Sequence, residues 1–274
     1  MSKISCSVGI LTLNSAKTLR QCLESVKDFA EIIICDGNST DETLDIAREY
    51  GCKIIKQYET DEPNIKIKDF SEVRNKCVSA ASFDWFLYID ADAYISDKLR
   101  EEIREITQKD NPEYLIYQLP SKIIYEGRVI EHASGYPGYQ IRFFNKKTGA
   151  FFVKPVHERV QYDQEKYKVG TLEGCWLLPE TKESLITSWQ KYKKYIQQEV
   201  ERSRGQNFWQ FLRWSILDKI IRMIKVVLKA SWMYFRYGFK DSNPPLAEFQ
   251  RFCYQATLLY ELIKDRLKKR VCRA

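Results

Sequence analysis

The chain has 274 residues, of which 44% are hydrophobic and 14% aromatic, a composition that suits one larger α/β domain or one domain with a helical appendage. Its formal net charge is +7, and the segment 204–274 carries fifteen Lys and Arg against five Asp and Glu. Eight cysteines without a C-x-x-C pair, and only two histidines, argue against a zinc site and against a disulfide-stapled secreted domain.

The first half of the chain alternates strand and helix patterns. Strands are predicted over residues 5–13, 31–35, 53–58 and 85–89. Helices are predicted over residues 16–26, 42–50, 71–81 and 98–107, with Ser15, Thr40 or Asp41, and Ser96 or Asp97 as N-caps. Such alternation predicts parallel βαβ units, which bind ligands beyond the carboxyl ends of their strands. The polar residues expected to converge there are Thr12, Asn14, Asp36, Asp90 and Asp92.

The second half changes pattern twice. Residues 114–178 are strand-like, with turn signals at 126–127, 136–138 and 147–149, and indicate an antiparallel extension that covers the site. Helices follow over residues 184–202, 208–237 and 246–269, with a break at 242–245. We therefore predict one domain over residues 1–180, divided near residue 110, and a basic helical extension over 181–274.

The triplet Asp90-Ala91-Asp92 follows an apolar strand. If strand geometry persists, the two carboxylates share one side of the chain and require a cation to offset their repulsion. Carboxylate oxygens suit Mg²⁺ or Mn²⁺, which can also bridge a diphosphate. The alternative is a solvated turn between strand and loop.

Asp36 and Arg74 each have a functional and a structural interpretation. A carboxylate at a strand end can bind a ribose or a base edge, although the loop 36–41 can also be a turn that caps the next helix. A guanidinium near the start of a helix can bind a diphosphate or a base, but it can equally be a solvated surface group.

The order of these motifs resembles family 2 glycosyltransferases with the GT-A fold. The motifs are Thr12-Leu13-Asn14, residues 36–41, Arg74-Asn75 and Asp90-Ala91-Asp92, within residues 4–110. The resemblance implies an α/β fold with a Rossmann-like mixed sheet flanked by helices, here with a C-terminal helical extension. It implies that Thr12, Asn14 and Asp36 contact the nucleoside of a nucleotide-sugar donor. It also implies that Arg74 holds the base or diphosphate, Asp90 lies near the ribose and Asp92 ligates Mg²⁺ or Mn²⁺.

Three further segments are similar to the branch that includes lipopolysaccharide core β-glucosyltransferases: residues 142–144, 156–158 and 237–241. By that resemblance Glu158 is the general base that takes the proton of the acceptor hydroxyl, and His157 orients Glu158 or the acceptor. Without it, the His-Glu pair would be interpreted as an exposed pair at a strand end. The chain departs from the pattern because no histidine follows His157 and Ser242 replaces a glycine.

The segment 216–228 has apolar residues at helical spacing, with basic residues over much of the remaining surface and tryptophans at 209, 214 and 232. Two interpretations stay open: a helix in a membrane interface with anionic headgroups, or a helix packed on the first domain with a solvated basic face. Nucleic-acid binding is not expected because no recognised module accompanies the charge. With no apolar leader and no apolar stretch of about 18 residues, we expect a cytoplasmic protein, peripheral on the inner face of the cytoplasmic membrane.

Together these features predict a metal-dependent inverting glycosyltransferase. The expected donor is a UDP-hexose, with glucose as the sugar, and the expected acceptor is a glycan or a lipid-linked glycan of cell-envelope polysaccharide or lipopolysaccharide synthesis. One alternative is a membrane-associated scaffold that keeps the fold without catalysis. Another is a nucleotidyltransferase, which is disfavoured because the segment 14–17 replaces the Gly-rich basic loop that such enzymes have after the first strand.

Overall fold

The computed structural model describes residues 2–154 and 158–271. The chain forms two compact units: Met1–Lys122 with Pro137–Pro179, and Ile123–Tyr136 with Glu180–Ala274. Residues 123–136, which the sequence pattern grouped with the first 180 residues, thus belong with the C-terminal helices.

The first unit is built on a mixed sheet. The strands of the chain are β1 (Ile4–Thr12), β2 (Phe29–Asp36), β3 (Lys53–Lys56), β4 (Trp85–Asp90), β5 (Tyr94–Ile95), β6 (Ile116–Tyr125), β7 (Arg128–Val129), β8 (Gly138–Asn145), β9 (Phe151–Val153), β10 (Arg159–Gln161), β11 (Val169–Thr171) and β12 (Trp176–Glu180). The main path of the sheet, over the described residues, is β3-β2-β1-β4-β8-β6-β12-β5. Strands β1 to β4 are parallel, whereas β8 is antiparallel to both β4 and β6.

Four helices flank this sheet: α1 (Ala16–Val26), α2 (Thr43–Glu49), α3 (Phe70–Ala80) and α4 (Asp97–Thr107). Because strand side chains alternate between faces, Leu87 and Ile89 of β4 pack into a cluster with α1, α2 and α4, while Phe86 and Tyr88 pack into another with α3. Both faces are therefore covered, as parallel strands require. The predicted Rossmann-like mixed sheet flanked by helices is confirmed.

Most predicted elements begin and end within two residues of the observed ones, but the caps differ. Ser15 precedes α1, yet its side chain makes no capping hydrogen bond and instead accepts one from the backbone of Leu13 at 3.3 Å. Glu42, rather than Thr40 or Asp41, precedes α2. Ser96 does cap α4, accepting from the backbone N–H of Leu99 at 3.2 Å.

The expected antiparallel extension is present, with one exception. Strand β11 pairs with β6 in the parallel direction. The turn at Glu126 and Gly127 has positive φ at both residues, which suits the short hairpin between β6 and β7. Strands β9 and β10 form a separate antiparallel ribbon, and Glu158 directly precedes β10 in the sequence.

The second unit is largely helical, with α5 (Lys182–Ser203), α6 (Phe208–Gln210), α7 (Asp218–Tyr237) and α8 (Pro245–Val271). A π-helical segment, Phe211–Leu217, joins α6 to α7. The small hydrophobic core of the second unit contains Ile196, Val200, Phe211, Leu258 and Leu262. Within the described residues, none of the helices combines the length and apolar character needed to cross a membrane.

Candidate active site

The carboxyl ends of β2 and β4 bring two predicted carboxylates to one edge of the sheet. Strand β1 lies between them, with Thr12 in register with Asp36 and Leu11 in register with Asp90. Thr12, Asp36 and Asp90 therefore meet as expected from parallel topology. Asn14, two residues after β1, lies in the loop that extends from the same edge.

Asp36 is almost fully buried and organises the loop that follows β2. Its Oδ1 accepts hydrogen bonds from Thr12 Oγ1 at 2.7 Å and Ser39 Oγ at 2.6 Å, and its Oδ2 accepts one from the Ser39 backbone N–H at 2.7 Å. These three hydrogen bonds join the end of β1 to the loop after β2 and fix that loop. The structural interpretation of Asp36 as a turn residue is thus satisfied, and Oδ2 retains capacity for a further donor.

Asn14 links three loop segments. It adopts a left-handed conformation with φ 49°, which Asn tolerates better than most residues. Its Nδ2 donates to Asn64 Oδ1 at 2.7 Å, and its Oδ1 accepts from the Thr40 backbone N–H at 2.9 Å. Its own backbone N–H donates to Ser39 Oγ at 2.8 Å. The predicted nucleoside-side residues therefore belong to one hydrogen-bonded loop cluster.

Arg74 is not a surface arginine, since the residue is only 4% exposed. It projects from α3, and its Nη2 donates to Asp90 Oδ1 at 2.8 Å while its Nε donates to Glu158 Oε1 at 2.6 Å. The alternative of a solvated group is therefore wrong. Two carboxylates that are 68 residues apart in sequence are joined through one guanidinium.

A second guanidinium completes the network. Arg142 of β8 donates from Nη2 to Asp90 Oδ2 at 2.9 Å, so each oxygen of Asp90 has its own arginine. Nη1 of Arg74 and Nη1 of Arg142 are buried and have no hydrogen-bond partner within residues 2–154 and 158–271. Buried unpaired donors are costly, and they are frequent where a ligand or a water completes a site.

Aromatic rings hold both guanidiniums. Arg142 lies 3.4 Å from the ring centroid of Trp176 and 4.4 Å from that of Tyr88, while Arg74 lies 4.3 Å from the Tyr88 centroid. Phe152 contacts Tyr88 edge-on at 5.0 Å. Cations over ring faces are stabilised by the ring quadrupole, most strongly when desolvated.

The charges of the network alter its ionisation. Burial disfavours the charged form of Asp90, but the charges of Arg142 and Arg74 outweigh that effect and hold the pKa of this carboxyl well below its usual range. The pKa of Arg74 is raised because Asp90, Tyr88 and Glu158 outweigh its own burial. Burial raises the pKa of Tyr88. Asp90 and Arg74 are therefore charged at neutral pH.

Glu158, the predicted base, lies in this network, with a side chain only 16% exposed. The interpretation as an ordinary exposed residue does not hold for it. His157, the other predicted catalytic residue, lies outside the described residues. Asn75 fixes the neighbouring ribbon, because its Nδ2 donates to the Phe152 carbonyl at 2.9 Å and its Oδ1 accepts from the Phe152 N–H at 2.8 Å.

The sequence offered no specific role for Asn75 or Arg142. Both stand inside motifs that were noticed, Asn75 beside Arg74 and Arg142 at the start of residues 142–144. Their contacts depend on long-range pairing between α3 and β9 and between β4 and β8, which no local pattern specifies. The adjacent aromatic positions were the available signal for Arg142.

The acidic triplet does not continue the strand. β4 ends at Asp90, and the Ala93 N–H donates to the Asp90 carbonyl at 3.0 Å, which closes a turn. The period-two argument for a shared face is therefore wrong. Asp92 is exposed on this turn, whereas both oxygens of Asp90 are held by guanidiniums.

These donors fit a divalent cation only in part. In residues 2–154 and 158–271 there is no group of three or more His, Cys, Asp or Glu that could hold a metal ion. Mg²⁺, however, is commonly held by one or two carboxylates together with substrate phosphates and water. Asp92 fits that mode, and Asp90 in its present ion pairs does not.

Several known proteins are similar to this chain. The sequence model described as glycosyl transferase family 2 matches residues 7–161, more than half of the chain. An uncharacterized glycosyltransferase of Rickettsia typhi is 32% identical over 181 residues, covering 63% of this chain and 57% of that relative, so the chain spans little more than half of its length. An uncharacterized glycosyltransferase of Rickettsia felis is 27% identical over 286 residues, which cover 97% of this chain and 93% of that relative. Among solved structures, S. aureus TarS 1-349 in complex with UDP-GlcNAc has a TM-score of 0.45 and 16% identity, covering 98% of this chain and 73% of its own.

Proposed function

Because this chain belongs to glycosyl transferase family 2, we propose that it is an inverting glycosyltransferase that transfers a hexose from a nucleotide-sugar donor to a glycan or lipid-linked acceptor. The observation that carries the proposal is the part-buried connection from Asp90 through Arg74 to Glu158, which joins a strand-end carboxylate to a candidate base. UDP is the proposed nucleotide and glucose the proposed sugar, with cell-envelope polysaccharide or lipopolysaccharide as the product.

On the donor side, Thr12, Asn14 and Asp36 are proposed to frame the nucleoside. Their hydrogen bonds fix the loops at the carboxyl edge of the sheet, where ligands of such sheets bind. Oδ2 of Asp36 has remaining acceptor capacity for a base or ribose donor. A rigid loop of this kind reduces the ordering cost of binding.

The arginines are proposed to serve the diphosphate and to position the carboxylates. Arg74 holds Asp90 and Glu158 at fixed positions, and the resemblance assigns it contact with the base or diphosphate. Its unpaired Nη1 and that of Arg142 are the donors left for an oxyanion. Asp90 keeps both guanidiniums in place and is proposed to lie near the ribose.

Glu158 is proposed to act as the general base. The acceptor oxygen attacks the anomeric carbon, its proton passes to the Glu158 carboxylate, and the bond between the anomeric carbon and the diphosphate oxygen breaks with the electron pair on the departing nucleoside diphosphate. Attack on the face opposite the leaving group inverts the anomeric configuration. His157 is proposed to orient Glu158 or the acceptor.

A divalent cation, Mg²⁺ or Mn²⁺, is proposed to be held by Asp92 with the donor diphosphate. Such an ion, when bound, offsets charge that develops on the leaving diphosphate. Asp90 was also a predicted ligand, and its two arginines argue that it contributes through them rather than directly.

The acceptor side is proposed to work at an anionic membrane surface, as expected for a peripheral protein on the inner face of the cytoplasmic membrane. Support comes from α7, where Leu228 and Phe235 are 64% and 92% exposed. We propose residues 1–180, apart from residues 123–136 of the second unit, as the catalytic domain, with the nucleotide-sugar part over 1–110 and the acceptor part over 111–180. The helical extension is residues 181–274.

The test is a donor screen that measures release of UDP from several UDP-hexoses, together with calorimetry of UDP binding in the presence of Mn²⁺. Binding of UDP and release from one donor support the proposal. Absence of both would favour the catalytically inactive scaffold and overturn it. Release of pyrophosphate from a nucleoside triphosphate and a sugar phosphate would instead indicate a nucleotidyltransferase.

A further inference from the structure

The second unit contains a basic cavity of about 300 Å³ between α5, α7 and α8. Its lining includes Arg222, Lys225 and Lys229 from α7, Arg251 from α8, and the rings of Tyr192 and Tyr254. Four cations around one small cavity repel one another, so an anion bound among them would be stabilised. Nothing in the proposed sugar transfer uses these residues.

The positive charge of this cavity is only partly neutralised. Arg222 donates to Asp218 Oδ2 at 2.8 Å, whereas neither Lys225 nor Lys229 has an ion pair or hydrogen bond within the described part of the chain. Arg251 lies near Glu180, where its charge opposes the rise in the pKa of this carboxyl that burial causes. The charge that stays available is therefore on the two lysines.

A further carboxylate, Glu248, lies behind one wall of the cavity. It accepts from the Ser134 backbone N–H at 3.1 Å, from the Ser134 hydroxyl and from Asn243 Nδ2 at 2.8 Å. These bonds engage its oxygens within the protein interior. It consequently neither pairs with the lysines nor cancels their charge directly.

The basic residues of α7 form one stripe beside an apolar stripe. Arg222, Lys225 and Lys229 are spaced by three and four residues and so share a face of the helix. Leu228 and Phe235, with Ile221 and Ile224, occupy the neighbouring face and are exposed, while Ala230 and Met233 are buried. A helix with this pattern has an apolar face for the acyl boundary and cations beside it at headgroup level.

We propose that this cavity binds the phosphate of an anionic phospholipid headgroup while the apolar stripe of α7 lies in the membrane interface. The proposal rests on the membrane part of the proposed function and adds to it a specific headgroup site. Lysine and arginine donors recognise phosphate oxygens, and the two tyrosine rings supply amphipathic walls that suit an interface. A lipid is favoured over a free phosphate because the exposed apolar stripe is continuous with the basic one on the same helix.

The test compares vesicle binding of two double variants of the full chain, without donor or acceptor. One is Lys225→Gln with Lys229→Gln in the cavity, and its matched control is Lys193→Gln with Lys194→Gln, exposed on α5 and outside the lining. Co-sedimentation uses phosphatidylcholine vesicles with and without phosphatidylglycerol. We expect the cavity variant to bind phosphatidylglycerol vesicles at least about ten-fold more weakly than wild type, and the control to change by less than about two-fold.

Equal losses in both variants would show that only overall charge matters and would overturn the headgroup site. If the cavity variant loses binding of inorganic phosphate but binds vesicles like the wild type, the cavity binds a free anion. That result would overturn the proposed lipid site. Phe235→Ser on the exposed stripe should weaken binding to both vesicle types, and unchanged binding would overturn the interfacial half. Because UDP release is measured separately, failure here is distinguishable from failure of the proposed transfer.

Discussion

Arg142 donates to Asp90 from the neighbouring antiparallel strand, with its Nη2 2.9 Å from Oδ2, while its guanidinium lies over the ring of Trp176. The last parallel strand is thereby tied electrostatically to the antiparallel extension. Arg74 takes the other oxygen of Asp90. Asp90 pairs with two buried cations, of which Arg74 also pairs with Glu158, so the loss of Asp90 should reduce stability as well as activity.

Asp90→Asn should therefore destabilise the protein. It leaves Arg142 without a carboxylate partner in the described chain, and removing one partner of a buried ion pair typically costs about 3–5 kcal/mol. Because the Asp90 side chain is 32% exposed, we expect a smaller loss, roughly 2 kcal/mol in the free energy of unfolding. Urea denaturation measures it, with the exposed Asp110→Asn as control. Equal stability of the two variants would contradict the structural role of Asp90.

The same carboxylate predicts a pH dependence. Its pKa is held below the usual range in the folded protein, so the unfolded chain binds this proton at higher pH than the folded chain. The contribution of Asp90 to the free energy of unfolding is present above the pKa of the unfolded chain, about 3.9. It is lost as pH falls toward the lower pKa of the folded protein. The stability difference between wild type and Asp90→Asn should therefore be constant above about pH 5 and shrink below about pH 4. A constant difference down to about pH 2.5 would contradict this.

Much of this arrangement can be predicted from the sequence, and the parts that cannot be predicted have physical reasons. Parallel βαβ topology brings Thr12, Asp36 and Asp90 to one edge, because the carboxyl ends of parallel strands lie at the same edge of the sheet. The roles of Asn75 and Arg142 depend on pairings across many residues, and local patterns contain no information on them. The triplet failed as a strand because a turn begins at Asp90, and such boundaries are the least determined part of a pattern.

Asn75→Ala should loosen the ribbon beside the candidate base. The side chain makes two hydrogen bonds to the backbone of Phe152, on the edge of β9 that β10 does not cover. Its loss leaves partly buried backbone groups unpaired, at a cost of about 1–3 kcal/mol. We expect lower stability in urea and a decrease in turnover larger than the change in UDP affinity. Asn111→Ala, at an exposed position, is the control. Identical behaviour of both variants would contradict the proposed role of Asn75 in holding the ribbon.

Glu158→Gln tests the proposed base. Glutamine keeps an oxygen that can accept from Arg74 Nε, so the network can retain its geometry while the proton acceptor is lost. Turnover should fall by about 10²–10⁴-fold, the usual contribution of general base catalysis. UDP affinity by calorimetry should stay within a few-fold of wild type. Glu165→Gln, on the exposed loop before β11, is the matched control. Normal turnover in Glu158→Gln would place the base elsewhere.

Asp92→Asn tests the proposed metal site. Asp92 is exposed on the turn after β4, whereas the oxygens of Asp90 are occupied by arginines, so the neutral variant should specifically weaken the response to metal. EDTA should abolish UDP release by the wild type, and Mn²⁺ or Mg²⁺ should restore it. We expect Asp92→Asn to need at least about ten-fold more Mn²⁺ for half-maximal activity, because a carboxylate ligand is replaced by a weaker neutral one. Asp97→Asn, exposed five residues later, should titrate like wild type. If EDTA leaves activity intact, the proposed metal dependence is wrong. If EDTA abolishes activity but Asp92→Asn needs no more Mn²⁺ than the wild type, Asp92 is not the metal ligand.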